Sequence, residues 1–412
     1  MLALLLATAS AGARDFAVTE FGAIANDATL DTAAIQRAID EAGAVGGGRV
    51  VIAGGVFRSG ALFLRQGVEL HVAAGATLLG SNQIADYPRA PTRVEGRRQE
   101  WRVALLNATN LTGVRITGAG VVDGNGILFW AAFWQRRKEN PKCTNLEVER
   151  PRMMFLDSCH DVRIEGLTFR DSGFWNLHLY RCSDVTIDGV TIKAPDSGSI
   201  RAPSSDGIDL DSCRDVAVRR THISVGDDCI ALKGTKGPHA DQDADSPPVE
   251  NILIEDCTFG EGAGVVTCGS EATLVRHVTV RRCKLTGPNN VLSLKLRPDT
   301  PQRYEDILVE DIEVNVPNGG RLLKVQPWSQ FFDLQGEAPP RSHIRNVTVR
   351  NVRGTIGSVG TLLTHDTATI DAFTLEAIDL KATDAKLTVG KDVGLTVRDV
   401  KVNGAPLESV VK

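Results

Sequence analysis

Residues 204–233, which read SSDGIDLDSCRDVAVRRTHISVGDDCIALK, contain two short strand-like segments that superimpose. Asp206 falls on Asp228, and the apolar residues of DGIDL match those of DDCIAL, when the segments are aligned 22 residues apart. This offset is about the length of one coil of a β-solenoid, in which equivalent residues stack about 4.8 Å apart. We therefore expect Asp206, Asp227 and Asp228 to crowd one patch, where mutual repulsion raises the pKa of at least one.

The same strand pattern recurs from about residue 50 onward. Each unit has three or four residues that alternate apolar inward and polar outward, and the steps between units are mostly 22 to 36 residues. The best-matched units are GVRITG at Gly113, DVRIEG at Asp161, DVTIDG at Asp184, DVAVRR at Asp215, NILIED at Asn251, HVTVRR at His277, DILVED at Asp306, NVTVRN at Asn346 and GLTVRD at Gly394. Hairpin turns such as Asn-Gly are few, which argues against a β-sandwich. The pattern predicts an all-β chain folded as a right-handed parallel β-helix.

The beginning of this domain has the pattern of a cap. Residues 14–50 read as strand, loop, helix, glycine stop and strand; Asp31 or Thr32 can cap the helix, and three glycines at 46–48 end it. An amphipathic helix at this place would cover the open end of a solenoid. We predict a single β-helix domain over residues 14–412.

Residues 1–13 combine an apolar stretch with small residues that fit an A-x-A cleavage site. This favours a signal peptide and a secreted or periplasmic protein, with an ordinary apolar terminus as the alternative. The apolar run is too short to span a bilayer, so no membrane partner is expected. The net charge of −5, with mixed signs throughout, gives no reason to expect a nucleic-acid partner.

Cysteine spacing indicates packing rather than bridging. Cys159, Cys182 and Cys213 occupy the same place in successive repeats, which predicts a ladder of buried thiols. No CxxC pair is present, so we expect no structural zinc, and we predict neither a metal nor a cofactor.

Two segments interrupt the repeat pattern. Residues 129–152 carry Trp130, Trp134 and a basic cluster, and residues 235–249 are polar and contain proline. We interpret both as surface loops, which are either solvated decoration or the walls of a substrate groove.

Over nearly its whole length the chain resembles glycoside hydrolase family 28, the polygalacturonases and their relatives. Residues 21–40 resemble the family's opening, and GFWNLHL, which contains Trp175, resembles its second landmark. The family motif Asn-Thr-Asp-Gly-x-Asp stands here as Ser-Ser-Asp-Gly-Ile-Asp at 204–209. Its Gly/Gln-Asp-Asp-Cys stands as Gly-Asp-Asp-Cys at 226–229, at the usual separation.

The resemblance implies an inverting glycosidase acting on a pectic polysaccharide or oligosaccharide. Asp227 would protonate the leaving oxygen, while Asp206 and Asp228 activate water on the opposite face of the sugar. The residues themselves support the grouping of these acids but do not rank the three. Asp209 and Trp175 are assigned to substrate binding, with the alternatives for Asp209 of orienting a catalytic neighbour or binding a turn.

Two further family motifs are altered. Gly-His-Gly becomes Gly-Ala-Gly around Ala263, and Arg-Ile-Lys becomes Ser293-Leu294-Lys295. Lys295 and Arg297 would lie on one face of a strand, where we expect them to bind a galacturonate carboxylate. The changes favour another pectic linkage, for example in rhamnogalacturonan, or an exo-acting enzyme.

Two alternatives stay open. A polysaccharide lyase can share the β-helix but needs a calcium cage and a basic proton abstractor, and a non-catalytic β-helix could serve adhesion or glycan binding. We expect a monomer.

Overall fold

The computed structural model describes residues 14–196 and 200–411, so the signal peptide predicted at 1–13 lies outside the described residues. The described chain winds into a right-handed parallel β-helix, as the repeats predict. Successive coils pair in parallel and stack into three sheets, which we call the repeat sheet, the site sheet and the third sheet. Apolar side chains from all three fill one continuous core.

The repeat sheet contains the units found in the sequence. Its strands are Asp15–Ala17, Gly48–Ile52, Val68–Val72, Thr112–Gly118, His160–Glu165, Ser183–Asp188, Arg214–Arg219, Val249–Glu255, Leu274–Leu285, Arg303–Asn315, Ser342–Leu362, Ala368–Val389 and Val393–Val402. From Leu274 onward the strands are longer and continue around the corners of the coil.

The other two sheets complete each coil. The site sheet consists of Leu62–Phe63, Leu106–Thr109, Met154–Asp157, Leu177–Tyr180, Ile208–Asp211, Ile230–Lys233, Val266–Cys268, Asn290–Leu296 and Arg321–Pro327, with Glu408–Val411 at its C-terminal end. The third sheet consists of Val56–Ser59, Thr77–Gly80, Val121–Asp123, Thr168–Arg170, Thr191–Ala194, His222–Val225 and Thr258–Phe259. Four inward residues of the site sheet, Ile208, Ile230, Val266 and Leu292, stack in register and are fully buried, as the alignment predicts.

A left-handed residue lies within the first few positions of most strands of the repeat sheet. Asp161, Asp184 and Asn251 have φ between 51° and 58°, a conformation that Asp, Asn and Gly adopt at least cost. This requirement explains why the repeats begin with those residue types. Ala372 takes the same place with φ of 54°, paired with Asn346 in the stack order, and the sequence pattern missed this coil because alanine is not typical there.

The N-terminal cap is present as a helix over Thr32–Ala44, whose buried face packs on the first coils. Asp31 stands at the N-cap position, as predicted, but it makes no capping hydrogen bond with its side chain. Asp31 Oδ1 instead accepts the N–H of Ile24 at 2.8 Å, and Thr32 Oγ1 accepts the N–H of Gly60 at 2.7 Å. Both side chains therefore attach the helix to neighbouring segments.

The cysteine ladder is confirmed. All eight cysteines are free and buried. Cys182 Sγ and Cys213 Sγ approach backbone carbonyls of the preceding coil, at 3.4 Å from Leu156 O and 3.3 Å from Leu179 O. The thiols therefore act as small apolar core residues.

The interpretation of residues 129–152 as a surface loop is wrong in its first half. A helix spans Ile127–Glu139, and it buries Phe129, Trp130 and Phe133. Trp130 Nε1 donates to Ser172 O at 2.9 Å. Aromatic side chains drive this segment onto the solenoid, because burying them removes more apolar area from water than a solvated loop could.

The remaining elements are short. An antiparallel hairpin joins Arg89–Val94 to Arg97–Arg102, and its base is closed by the bond from Val103 N to Pro88 O at 3.0 Å. Ala405–Pro406 pairs antiparallel with the last repeat-sheet strand. Turns of 3₁₀ helix lie at Val18–Phe21, Ile84–Asp86 and Ala240–Gln242. Within the described residues, no helix is both long and apolar enough to cross a membrane.

Candidate active site

A pocket of about 190 Å³ lies over the site sheet. Side chains from at least six coils and inserted segments meet in it. The lining residues are Glu95, Asn145, Trp175, Ser204, Asp206, Asp227, Asp228, Lys233, Ala263, Ser270, Glu271, Lys295, Lys324, Trp328, Gln330 and Phe331. The three catalytic candidates, Trp175 and Lys295 are therefore brought together, as the sequence predicts.

The acids precede two adjacent strands of the site sheet. Asp206 stands before Ile208–Asp211, and Asp228 stands in the equivalent place before Ile230–Lys233. The backbone confirms this register, since Gly207 N donates to Asp228 O at 2.9 Å. A Cβ at position 207 would lie 2.5 Å from Cys229 O, so only glycine lets the two coils approach this closely.

Asp228 is held in its ionised form. Its Oδ2 accepts a hydrogen bond from Lys295 Nζ at 2.5 Å, and its Oδ1 accepts one from Thr267 Oγ1 at 2.8 Å. Burial alone would raise the pKa of Asp228, but the ammonium groups of Lys295 and Lys233 outweigh burial and hold this pKa below its usual value.

Asp227 has the opposite environment. It is half-buried, and its Oδ1 accepts only the N–H of Asp228 at 3.1 Å. Burial, with the nearby charges of Asp206 and Asp228, raises the pKa of Asp227 to about 7. Burial also raises the pKa of Asp206, which Lys233 opposes. One pocket therefore holds a carboxyl that keeps its proton near neutral pH and a carboxylate that does not.

Asp209 lies beneath the pocket. It faces away from the apolar core, as its alternation predicts, but it is fully buried and does not line the pocket, so the assignment to substrate binding is wrong. Burial and the charge of Asp206 raise the pKa of Asp209 well above its usual value. A protonated Asp209 can hydrogen-bond to Asp206, which supports the alternative that it orients a catalytic neighbour.

Lys233 connects this layer to the pocket. Its Nζ lies 3.2 Å from Asp206 Oδ2, 3.4 Å from Asp209 Oδ1 and 4.0 Å from Glu271 Oε2. The same ammonium lies 4.6 Å from the ring centre of Trp175, a cation–π distance. The cation is surrounded by three carboxyl groups and one aromatic face, which fixes the position of Asp206.

The expectation that Arg297 shares a binding face with Lys295 is wrong. The strand ends at Leu296, and the guanidinium of Arg297 is fully buried. It binds both oxygens of Asp299, at 2.7 and 2.6 Å, and donates to the carbonyl of Gln330 at 2.8 Å. Arg297 therefore shapes the loop that carries Gln330 and Phe331, which line the pocket, and does not line the pocket itself.

The substituted residues of the two altered motifs lie at different places relative to the pocket. Ala263 lines the pocket, whereas Ser293 is buried below it with Oγ 3.4 Å from Ala263 O. Lys324 pairs with Ser293 in the next coil and reaches the pocket. A cation one coil away thus stands near the place that the absent arginine would serve.

Three inserted segments close one end of the pocket. The hairpin tip brings Glu95, the segment after the second acid strand brings Lys236, and the loop after Trp328 brings Phe331. Arg93 anchors the hairpin through Asp211 Oδ2 at 2.9 Å and Thr235 Oγ1 at 3.0 Å. Of the two interrupting segments, residues 235–249 supply Lys236 at this wall and residues 129–152 supply Asn145 to the pocket lining, which supports the groove interpretation of both.

Comparison with known proteins identifies the family. The sequence model for glycosyl hydrolases family 28 matches residues 70–401. The chain belongs to family 28. A probable polygalacturonase of Vitis vinifera is 31% identical over 279 residues, which cover 65% of this chain and 54% of the relative. The matches span 54% to 60% of the length of the first four curated relatives.

Solved exopolygalacturonase structures share the fold. The exopolygalacturonase of Yersinia enterocolitica has a TM-score of 0.80 at 21% identity, over 98% of this chain and 78% of that one. The hyperthermoactive exopolygalacturonase of Thermotoga maritima has a TM-score of 0.75 at 21% identity, over 95% of this chain and 92% of that one. At these identities the likeness concerns the right-handed β-helix.

Sequence reasoning missed several residues that line this family 28 pocket. Lys233 ends the motif stretch itself, and its register with Asp211 places it beside acids. Lys324 could have been found by aligning RLLKV with NVLSL coil by coil, which places it on Ser293. Glu95 and Glu271 carry no local signal, because a hairpin and a turn bring them in from distant parts of the chain.

Proposed function

We propose that this protein hydrolyses α-glycosidic bonds in galacturonate-containing pectic chains with inversion of configuration. The observation that carries the proposal is the contrast between Asp227, with a pKa of about 7, and Asp228, held ionised by Lys295. An acid and a base in one pocket are what single displacement at a sugar requires. The Vitis vinifera relative, named a probable polygalacturonase, supports a pectic substrate.

Each residue then has a role in the reaction. Asp227 donates its proton to the leaving glycosidic oxygen as the bond breaks. Asp228 and Asp206 take a proton from the water that attacks the anomeric carbon from the opposite face. Lys233 and Asp209 position Asp206, and Asp209 does so from beneath the pocket.

The closed end of the pocket supports cleavage at a chain end. A polymer that passes through the site needs an open groove on both sides of the acids. Here Glu95, Lys236 and Phe331 stand across one side, so the pocket takes a terminal sugar.

Export is part of the same proposal. Residues 1–13 have the composition of a signal peptide, and pectic polymers are outside the cell that degrades them. N-terminal sequencing of the mature protein from the periplasm or the medium should begin at about Arg14.

Product analysis tests this function. Oligomers of homogalacturonan and rhamnogalacturonan should yield new reducing ends without the absorbance of 4,5-unsaturated products, and NMR should show the inverted anomer first. Release of single residues without a rapid fall in polymer viscosity supports exo action. Unsaturated products would indicate a lyase, and binding without cleavage would indicate a non-catalytic β-helix.

A further inference from the structure

The two ends of the pocket differ in charge. At the closed end stand Glu95 and Glu271, whose side chains are 13% and 9% exposed. Lys236 Nζ lies between them, 3.9 Å from Glu95 Oε2 and 3.7 Å from Glu271 Oε1. Lys233 is shared by Glu271, Asp206 and Asp209. Each cation at this end is therefore already matched by carboxyl groups within the protein.

Glu271 supplies a fixed negative charge. Burial would raise the pKa of Glu271, but Lys233 and Lys236 hold it at about 2. Burial and the charge of Glu271 raise the pKa of Glu95, whose Oε1 also accepts Asn145 Nδ2 at 3.1 Å. Sugar hydroxyls can donate to both carboxyl groups, whereas a second carboxylate here would face like charge.

The position of Glu95 is an unusual one for this residue type. Glu95 and Gly96 form the two-residue loop of the hairpin, with φ of 47° and 74°. Such a loop favours Asn-Gly or Asp-Gly, so glutamate here costs free energy. The longer side chain is what reaches the pocket.

At the other side of the acids the charge is positive. Lys295 contacts Asp228, and Lys324 lies beside it, with both ammonium groups near the ring of Trp328, at 4.9 and 5.7 Å from its centre. Among the described residues, no carboxylate lies within 4.0 Å of Lys324 Nζ. Lys324 is thus a cation available to an anionic ligand, with an aromatic face beside it.

We propose that the closed end accepts a neutral terminal sugar through Glu95 and Glu271, while Lys324 binds the carboxylate of the uronate across the cleaved bond. This inference rests on the proposed function and names the order of sugars that it acts on. A pectic chain with alternating neutral and uronate residues fits this order, and a chain of uronates alone does not.

Two oligomers of equal length test the order. One consists of galacturonate alone, and the other alternates rhamnose with galacturonate and presents rhamnose as the terminal residue to be released. The wild-type protein should cleave the rhamnose-terminated oligomer with a kcat/KM at least about tenfold higher, because like-charge contacts are costly in a closed site. The variant Lys324→Met should lose about 10-fold to 100-fold on this oligomer, as expected for a lost charged hydrogen bond.

Removing the two carboxylates at the closed end sharpens the test. The double variant Glu95→Gln/Glu271→Gln leaves Lys236 without a carboxylate partner, so cleavage of the galacturonate oligomer should rise about tenfold relative to the rhamnose-terminated one. Adding Lys236→Met should remove that gain. Glu100→Gln, on the exposed part of the same hairpin, is the matched control and should not change the preference.

The outcomes separate the two proposals. Preference of the wild-type protein for the galacturonate oligomer, unchanged in the double variant, overturns this inference and leaves the proposed function in place. Cleavage of neither oligomer overturns both. A switch of preference in the double variant that Lys236→Met reverses supports the order of sugars.

Discussion

Three aspartates in one pocket ionise differently because each has different neighbours. Asp228 contacts an ammonium and a hydroxyl, and Asp206 shares Lys233 with two other carboxyl groups. Within the part of the chain that the structure describes, no cation lies within 4.0 Å of the Asp227 carboxyl oxygens. Burial acts on all three in the same direction, so the contacts decide the order of the pKa values. The chemistry therefore depends on the two lysines as much as on the acids.

The first prediction concerns the proton donor. Asp227→Asn keeps the shape of the side chain but cannot donate an acidic proton, so kcat should fall by about 10²-fold to 10⁴-fold while KM changes little. Steady-state kinetics on the preferred oligomer measure both. Asp184→Asn, at an exposed left-handed turn that asparagine also tolerates, is the control. A residual rate above about a tenth of wild type would exclude Asp227 as the acid.

The second prediction concerns pH. Asp227 must be protonated to act, and its pKa is about 7, so kcat/KM should decline as pH rises through about 7. Asp228 and Asp206 must both be ionised to activate water. The lysines hold the pKa of Asp228 below its usual value, but burial raises the pKa of Asp206, so the acidic decline should follow the titration of Asp206. A pH profile of kcat/KM checks both limbs. Activity that stays constant well above pH 7 would contradict the environment described for Asp227.

For individual site residues, the sequence was informative where the pattern lies within neighbouring repeats. The stacking of Asp206 on Asp228 followed from a repeat offset that a reader can measure in the sequence. The burial of Asp209 and Arg297 could not be read from alternation, because alternation tells which way a side chain points and not what covers it. Loops from other coils provide that cover.

Among the elements, the hairpin at Arg89–Arg102 depends on one buried ion pair. Arg93 and Asp211 are almost inaccessible to water, with two hydrogen bonds between them at 2.9 and 3.3 Å. Arg152 adds a bond from Nη1 to Arg93 O at 2.7 Å and lies within 2.7 Å of His178 Nδ1. The wall of the pocket is thus attached from below by charged groups.

The third prediction follows from that pair. Arg93→Met leaves Asp211 buried without its partner and should lower the free energy of unfolding by about 3–5 kcal/mol. Replacing both residues, as Arg93→Met/Asp211→Leu, should recover much of the loss, since neither member of the pair is then left buried alone. Urea unfolding of the two single variants and the double variant measures the coupling. Additive losses would show that the pair does not act as a unit.

The elements that sequence reasoning misjudged lie outside the repeats. Residues 127–139 have helical aromatic spacing at Phe129 and Phe133, but a basic cluster follows directly, and it resembles a solvated loop. In the structure the helix is held against the solenoid by Arg150, whose guanidinium lies 4.4 Å from the ring centre of Phe133 and 4.5 Å from that of Phe174. A buried arginine between two rings cannot be predicted from local composition.

Across the whole molecule, the left-handed residues near the start of the repeat-sheet strands form a column, in which Ala372 stands where most other coils have Asp, Asn or His. The fourth prediction is that Ala372→Gly raises the free energy of unfolding by about 0.5–1 kcal/mol, because the exposed site has φ of 54°. Ala405→Gly, in an extended exposed strand, should lower it. Thermal or urea unfolding of both variants checks the sign. Destabilisation by Ala372→Gly would show that the turn is not strained.

The β-helix itself was the most predictable part, because a stack repeats its signal in every coil. The pocket was only half predictable, since the acids lie on that stack and the wall residues do not. Chain length and amino-acid composition contributed little to the prediction of the β-helix or of the pocket.

The closed base of the hairpin has a practical consequence for protein engineering. Pro88 and Val103 are already joined by a backbone hydrogen bond, and the site-sheet strands on either side keep their register without help from the hairpin tip. The tip around Glu95 and Gly96 can therefore be exchanged for inserts of other lengths and charges, provided that Arg93 keeps its ion pair with Asp211. Libraries built at this tip could search for new sugar preferences while the scaffold and its acids stay unchanged.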